Sequence, residues 1–154
     1  MKEKPAYETS NTCSYFAIVL VGCATEVKTA APNADLRAKA LRAPKGMALV
    51  YFVRPTSVGK PFSTPIICDG KRLGSVCGWY FIYAYLKPGK HHLVSQRDNT
   101  TEMDAAFTAG KTYFIKVSMY PAVAKGAVKL ALIDSKTGRE KLQECTLSAD
   151  NAAR

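Results

Sequence analysis

Three kinds of residue in this chain carry chemical potential: five cysteines, two adjacent histidines and a row of aromatic side chains. The cysteines are Cys13, Cys23, Cys68, Cys77 and Cys145. A thiol beside an imidazole makes a nucleophile and its base, but Cys68, Cys77 and Cys145 sit in no local signature of such an enzyme. Neither Cys-x-x-Cys nor His-Glu-x-x-His occurs, and there is no phosphate-binding loop and no Gly-x-Ser-x-Gly elbow. His91-His92 cannot grip one ion as a unit, because adjacent side chains on a strand point to opposite faces. His91 is expected to complete the turn at Lys87-Pro88-Gly89 by hydrogen bonding. The sequence therefore predicts no catalytic residue, no metal ligand and no cofactor. The aromatic residues Trp79, Phe81, Tyr83 and Tyr85 share one face of a predicted strand, and Tyr80, Ile82, Ala84 and Leu86 share the other.

Cys23 differs from the other cysteines in what precedes it. It closes the run Ser14-Tyr15-Phe16-Ala17-Ile18-Val19-Leu20-Val21-Gly22-Cys23. Leu20-Val21-Gly22-Cys23 resembles the lipobox of bacterial lipoproteins. That resemblance implies export, cleavage before Cys23, and a membrane anchor of acyl chains on Cys23. The apolar run is shorter than the roughly 20 residues a spanning helix needs, and it has the length of a signal core. Lys2 and Lys4 are offset by Glu3 and Glu8, an unusual start for a signal. The competing expectation makes Tyr15–Val21 a buried strand. In lipoproteins of this kind, Ala24 after the anchor implies sorting to the outer membrane, periplasmic side. Cys13 would leave with the signal. Cys68, Cys77 and Cys145 would then form one disulfide plus one thiol, as Cys68–Cys77 or Cys68–Cys145, or would remain three buried thiols.

These residues are positioned by a body that reads as all-β. The chain has 154 residues, enough for one domain, and its net charge is +10. Removing residues 1–22 leaves that charge unchanged. The sequence divides into a signal segment at 1–22, a basic tether at 23–46 with a short helix, a β-sandwich or barrel-like domain at 47–147, and a tail at 148–154. Arg37, Lys39, Arg42 and Lys45 would lie near the lipid. From Met47 the apolar residues recur with period two. Met47–Val53 is an almost continuous apolar run, as in a strand buried on both faces. Asp69-Gly70 predicts a hairpin turn between Thr64–Cys68 and Lys71–Cys77, with Gly74 at a bulge. Trp79–Leu86, His91–Arg97, Thr112–Tyr120 and Val128–Leu132 follow as strands. Lys136-Thr137-Gly138 reads as a turn, and Lys141–Leu147 as a closing strand or short helix.

Ala48-Leu49-Val50-Tyr51-Phe52-Val53-Arg54-Pro55 resembles the opening strand of a bacterial lipoprotein family, domain of unknown function 2846. Asp69-Gly70-Lys71 with Leu73-Gly74, Tyr80-Phe81, Leu86-Lys87-Pro88-Gly89-Lys90-His91 and Gly110-Lys111-Thr112-Tyr113-Phe114-Ile115-Lys116-Val117 match its later blocks in order. The resemblance covers about residues 47–133 and implies a small antiparallel β-sandwich behind a lipobox, with no activity attached. Its register places Tyr80, Ile82, Ala84 and Leu86 inward. Trp79, Phe81, Tyr83 and Tyr85 then become a candidate docking surface for a glycan, lipid or protein. The competing expectation is that another sheet or the N-terminal segment covers them. The functional expectation is a non-enzymatic, lipid-anchored envelope protein that binds or supports a partner, an envelope protein or an anionic glycan. The alternatives are a basic binder of anionic glycan or lipid, and an intracellular barrel for single-stranded nucleic acid. The last is disfavoured, because the basic residues are scattered.

Overall fold

The computed structural model describes residues 30–97, 99–120 and 127–151. Among the described residues, nine strands make two facing sheets. They are β1 (Ala48–Arg54), β2 (Thr64–Cys68), β3 (Lys71–Val76), β4 (Tyr80–Leu86), β5 (Gly89–Gln96), β6 (Thr100–Phe107), β7 (Thr112–Met119), β8 (Val128–Ile133) and β9 (Thr146–Leu147). One sheet runs β8-β7-β1-β4-β9 and the other β3-β2-β5-β6. Most pairs are antiparallel, but β1 pairs with β7, and β4 with β9, in parallel. The architecture is the expected sandwich, with a mixed sheet on one side.

The period-two pattern sets the inner faces. Val50 and Phe52 of β1, Ile82, Ala84 and Leu86 of β4, and Ile115, Val117 and Met119 of β7 meet Ile66, Cys68, Leu73, Val76 and Leu93 of the opposite sheet. Every residue of β1 is buried, because it is central in its sheet and covered on both sides. Its outward residues Leu49, Tyr51 and Val53 join a second apolar cluster. Two helices cap that cluster: α1 (Pro32–Lys39) and α2 (Ser135–Glu144). Such a layered arrangement buries both faces of the five-stranded sheet.

Both open edges are bridged. At one, the Asn99 side chain accepts from Val128 N at 3.1 Å and Thr101 Oγ1 donates to Val128 O at 2.5 Å, tying the start of β6 to β8. At the other, Gly74 pairs with Asn151, whose side chain accepts from Tyr83 N at 3.0 Å. Covered edges leave little template for pairing with another chain. The β2–β3 ladder skips Leu73, so the expected bulge lies beside Gly74. Gly74 has φ of 150°, and a Cβ there would collide with the carbonyl oxygen of Asp150.

Several expectations are corrected. Residues 30–46 are no free tether, since α1 packs Ala38 against Tyr51 and Ala30 N donates to Leu147 O at 3.2 Å. The expected tail is built in, with Ser148 and Asn151 buried. Lys136-Thr137-Gly138 is the first part of α2, not a turn, because Asp134 caps the helix by accepting from Lys136 N and Thr137 N. Strand β6 was not foreseen from the sequence, although Met103, Ala105 and Phe107 alternate with exposed Glu102, Asp104 and Ala106. Its residues are mostly polar or half-exposed, as suits an edge strand. In β8, Val128 and Leu130 are buried but Leu132 is 53% exposed. At one end of the sandwich, Arg54 is buried and its guanidinium donates to the carbonyls of Val58, Gly59 and Phe62 at 2.7–2.8 Å, fixing the loop after β1.

Candidate functional site

The aromatic row does not form an open face. Phe81 is completely buried, and Tyr83 and Tyr85 are half-buried beside it. Of the set expected inward, Ile82, Ala84 and Leu86 lie in the inter-sheet core, while Tyr80, at the start of β4, is half-buried outside it. What covers the row is the stretch from Ala30 to Ala43 that includes α1, together with α2 and β9. Laying this segment over an apolar sheet face removes the face from water. Trp79 departs from the others. It precedes β4, has φ of 65° and is 37% exposed. A docking surface made from all four residues is therefore overturned for Phe81 by burial. Trp79 stands apart, at the end held by Arg54, whose carbonyl accepts Trp79 N at 2.8 Å.

Among the described residues the cysteines are Cys68, Cys77 and Cys145, free thiols that are all buried. Neither expected disulfide fits. Cys68 pairs with Lys71 at the turn of the β2–β3 hairpin, whereas Cys77 follows Val76 at its open end. Cys68 lies in the inter-sheet core and Cys145 in the outer cluster, on opposite sides of a sheet. A disulfide needs Cα atoms within about 7 Å. Burial pushes the Cys145 thiol up to about 12 and also raises that of Cys77. Cys23 lies outside the described residues.

The cover on the outer face leaves a cleft of about 930 Å³ between the end of α1, the start of β7 and α2. Its floor includes Tyr51 and Phe114, whose rings stack at 5.4 Å. Tyr51 Oη donates to Ala38 O at 2.6 Å, and burial raises its pKa. The rim carries Lys39, Arg42, Lys111 and Arg139 against Glu140. Lys39 is engaged with Asp35 at 2.9 Å. Arg42, Lys111 and Arg139 are exposed. The cleft therefore has a positive rim, and the Tyr51 and Phe114 rings beneath it are buried.

A second constellation lies at the same end of the sandwich, on the inter-sheet side. The turn Asp69-Gly70 has φ of 50° and 79°, the left-handed pair that a two-residue hairpin demands. It sets Asp69 against β5, where Asp69 N donates to His92 O and His92 N donates to Asp69 Oδ1, both at 2.9 Å. His91 faces inward and His92 outward, as strand alternation requires. His91 Nδ1 lies 2.6 Å from Asp69 Oδ2 and 3.7 Å from Cys68 Sγ, and Nε2 lies 2.8 Å from Lys87 O. The expected bond from His91 to the Lys87-Pro88-Gly89 turn is thus made. A carbonyl only accepts, so Nε2 carries a proton. Desolvation opposes charging His91, yet the Lys87 carbonyl and the Asp69 carboxylate prevail and raise its pKa. Bonds from His92 N and His91 hold the Asp69 carboxyl low.

This is not the geometry of a cysteine nucleophile. Cysteine and carboxylate meet the same ring nitrogen, so Asp69 occupies the position where a base would receive the thiol proton. Burial, with Asp69 adjoining, pushes the Cys68 thiol up to about 12. A cleft of about 400 Å³ opens over the group, lined by Lys71, Tyr85 and Lys87 among others. The sequence reading missed this trio. Its one signal was the Asp-Gly turn directly after a cysteine, with the Pro-Gly turn directly before a histidine.

Comparison with known proteins gives a family and a relative. The profile of the family described as "Protein of unknown function (DUF2846)" matches residues 44–128. An uncharacterized protein of Haemophilus influenzae is 25% identical over 137 residues, covering 88% of this chain and 81% of that one.

Proposed function

Because the chain belongs to the DUF2846 family of proteins of unknown function, we propose its role from the site: a non-enzymatic, lipid-anchored envelope protein whose sandwich binds an anionic glycan between α1 and α2. The observation that carries this is the cleft rim. Arg42, Lys111 and Arg139 line the cleft between α1 and α2, with Glu140 the opposing charge. Anionic substituents of such a polymer pair with guanidinium and ammonium groups. The net charge of +10 steers such a polymer toward the protein.

The anchor rests on Leu20-Val21-Gly22-Cys23. In this reading acylated Cys23 holds the protein on the periplasmic side of the bacterial outer membrane. About seven chain steps separate Cys23 from Ala30, a reach of about 25 Å at most. Ala30 bonds to Leu147, and Thr146 N donates to Trp79 O, so the chain enters at the Trp79 end. Exposed Val58, Phe62 and Trp79 then face the bilayer side. The cleft, at the opposite end with Lys111, faces the periplasm.

The test uses the full chain on an immobilised acidic polysaccharide and on its neutral counterpart. Retention on the acidic polymer alone, lost in the double variant Lys111→Glu, Arg139→Glu and weakened by salt, supports the reading. Equal retention of native and variant chains overturns the cleft. Intact mass and membrane partition of native and Cys23→Ser chains in a Gram-negative host test the anchor. A full-length, unmodified and soluble native chain would overturn it.

A further inference from the structure

We propose that Cys68, Asp69 and His91 form a three-ligand site for a divalent cation of the zinc type, with the fourth position open to the adjoining cleft. This site is independent of the glycan cleft. Three side chains from two strands and a turn converge on one point, and each presents one ligand atom within 4.8 Å of the others.

The spacing fits. Tetrahedral zinc binds sulfur at about 2.3 Å and nitrogen or oxygen at about 2.0–2.1 Å, which places sulfur about 3.6 Å from each lighter ligand. Cys68 Sγ lies 3.7 Å from His91 Nδ1 and 3.6 Å from Asp69 Oδ2. The remaining pair, Nδ1 to Oδ2, stands at 2.6 Å, the length of a charged hydrogen bond. It must open to about 3.3 Å when the cation replaces the shared proton. Asp69 has that freedom, since its side chain is half-exposed at the tip of a hairpin.

The outer shell fits as well. A metal-binding histidine commonly donates its other ring N–H to a carbonyl, which fixes the tautomer. His91 Nε2 does so to Lys87 O at 2.8 Å, leaving Nδ1 for the ion. Phe107 stacks on the ring at 5.6 Å and holds its plane. Asp69 Oδ1 accepts from His92 N, leaving Oδ2 for the ion. Binding expels two protons, one from the Cys68 thiol and one from between His91 and Asp69. Thiolate and carboxylate then balance the dication, so Lys71 and Lys87 at the rim face a neutral centre. A thiolate, an imidazole and a carboxylate suit a borderline metal better than calcium or magnesium. The neighbouring group His92, Glu102 and Asp104 is a poor alternative. It engages opposite nitrogens of one ring, Nδ1 with Asp104 and Nε2 with Glu102, which cannot converge on one ion.

The test titrates the reduced full-length chain with zinc alone, and with cobalt as a spectroscopic probe. The expected result is one ion per chain and a thiolate-to-cobalt charge-transfer band. Cys68→Ser removes the band, and His91→Ala and Asp69→Asn weaken zinc binding at least about 100-fold. His92→Ala, Cys77→Ser and Cys145→Ser leave binding unchanged. Melting curves without metal check that each variant folds, and Asp69→Asn, at an exposed turn, serves if Cys68→Ser does not. No saturable binding by the native chain overturns the proposal. So does a band that survives Cys68→Ser or follows Cys13 or Cys23, or zinc affinity unchanged in both His91→Ala and Asp69→Asn.

Discussion

Replacing Gly138 by alanine should destabilise this protein, against the ordinary rule for a helix. Gly138 lies inside α2, where alanine is favoured over glycine by about 1 kcal/mol. Here α2 lies so close on β7 that a Cβ at Gly138 would stand 2.5 Å from Cβ and Cδ2 of Phe114, and closer still to its Cγ. Carbon atoms pack best at about 3.5–4.0 Å, so the helix or the ring must retreat by about 1 Å. Phe114 cannot yield cheaply, because it is buried and stacked on Tyr51. Overpacking of this kind costs about 1–3 kcal/mol. With the upper figure for backbone-near atoms and the propensity gain subtracted, the net loss is about 2 kcal/mol. At about 2–4 °C per kcal/mol for a chain this size, Tm falls by about 4–8 °C. Urea and thermal unfolding followed by circular dichroism give both quantities. In a Phe114→Ala background the same change should become neutral or stabilising, which measures the coupling directly. An unchanged or raised Tm for Gly138→Ala in the native background would refute the close docking of α2.

Three other outcomes follow from the packing. Phe81→Ala should cost about 3–5 kcal/mol in urea unfolding, as for a fully buried aromatic, while Trp79→Ala should cost far less; equal effects would contradict their different burial. Arg54→Met should cost about 3 kcal/mol or more, since it strips the donor from the buried ends of the Val58, Gly59 and Phe62 carbonyls, and proteolysis within 55–63 should accelerate; a neutral result would mean that the loop is held by other bonds. Asp134 has its carboxyl held low by the Thr137 and Lys136 bonds, so its contribution is fully present above the ordinary carboxylate pKa and is lost as pH falls through the lowered value. Asp134→Ala should therefore be less stable than the native chain at neutral pH and converge with it in acid; a gap independent of pH would show that the charge is irrelevant.

Legibility in the sequence followed the strength of the local signal. The alternation in β4 put Ile82 and Ala84 on one face, the family resemblance turned that face inward, and Asp69-Gly70 announced its hairpin, because each strand and turn signal depends on a few neighbouring residues. Strand β6 was missed because its Thr-Glu-Met-Asp-Ala-Ala pattern is that of a half-exposed edge. Gly138 was misread because a glycine that permits close packing looks like one that permits a turn. The Cys68, Asp69 and His91 group was invisible because the antiparallel pairing of Cys68 with Leu93 brings its members together.

Composition and periodicity determined the class: a basic, single β-sandwich with β1 buried on both faces. These are local or averaged quantities, fixed by side-chain type and by a two-residue repeat. Tertiary structure decided everything that depended on which surface found which partner. It closed α1 over the aromatic row, kept Cys68 and Cys145 on opposite sides of a sheet, and aimed one of two adjacent histidines at a carboxylate and a thiol. Such choices arise from long-range burial and register, and apolar contact carries no address in the residues that make it.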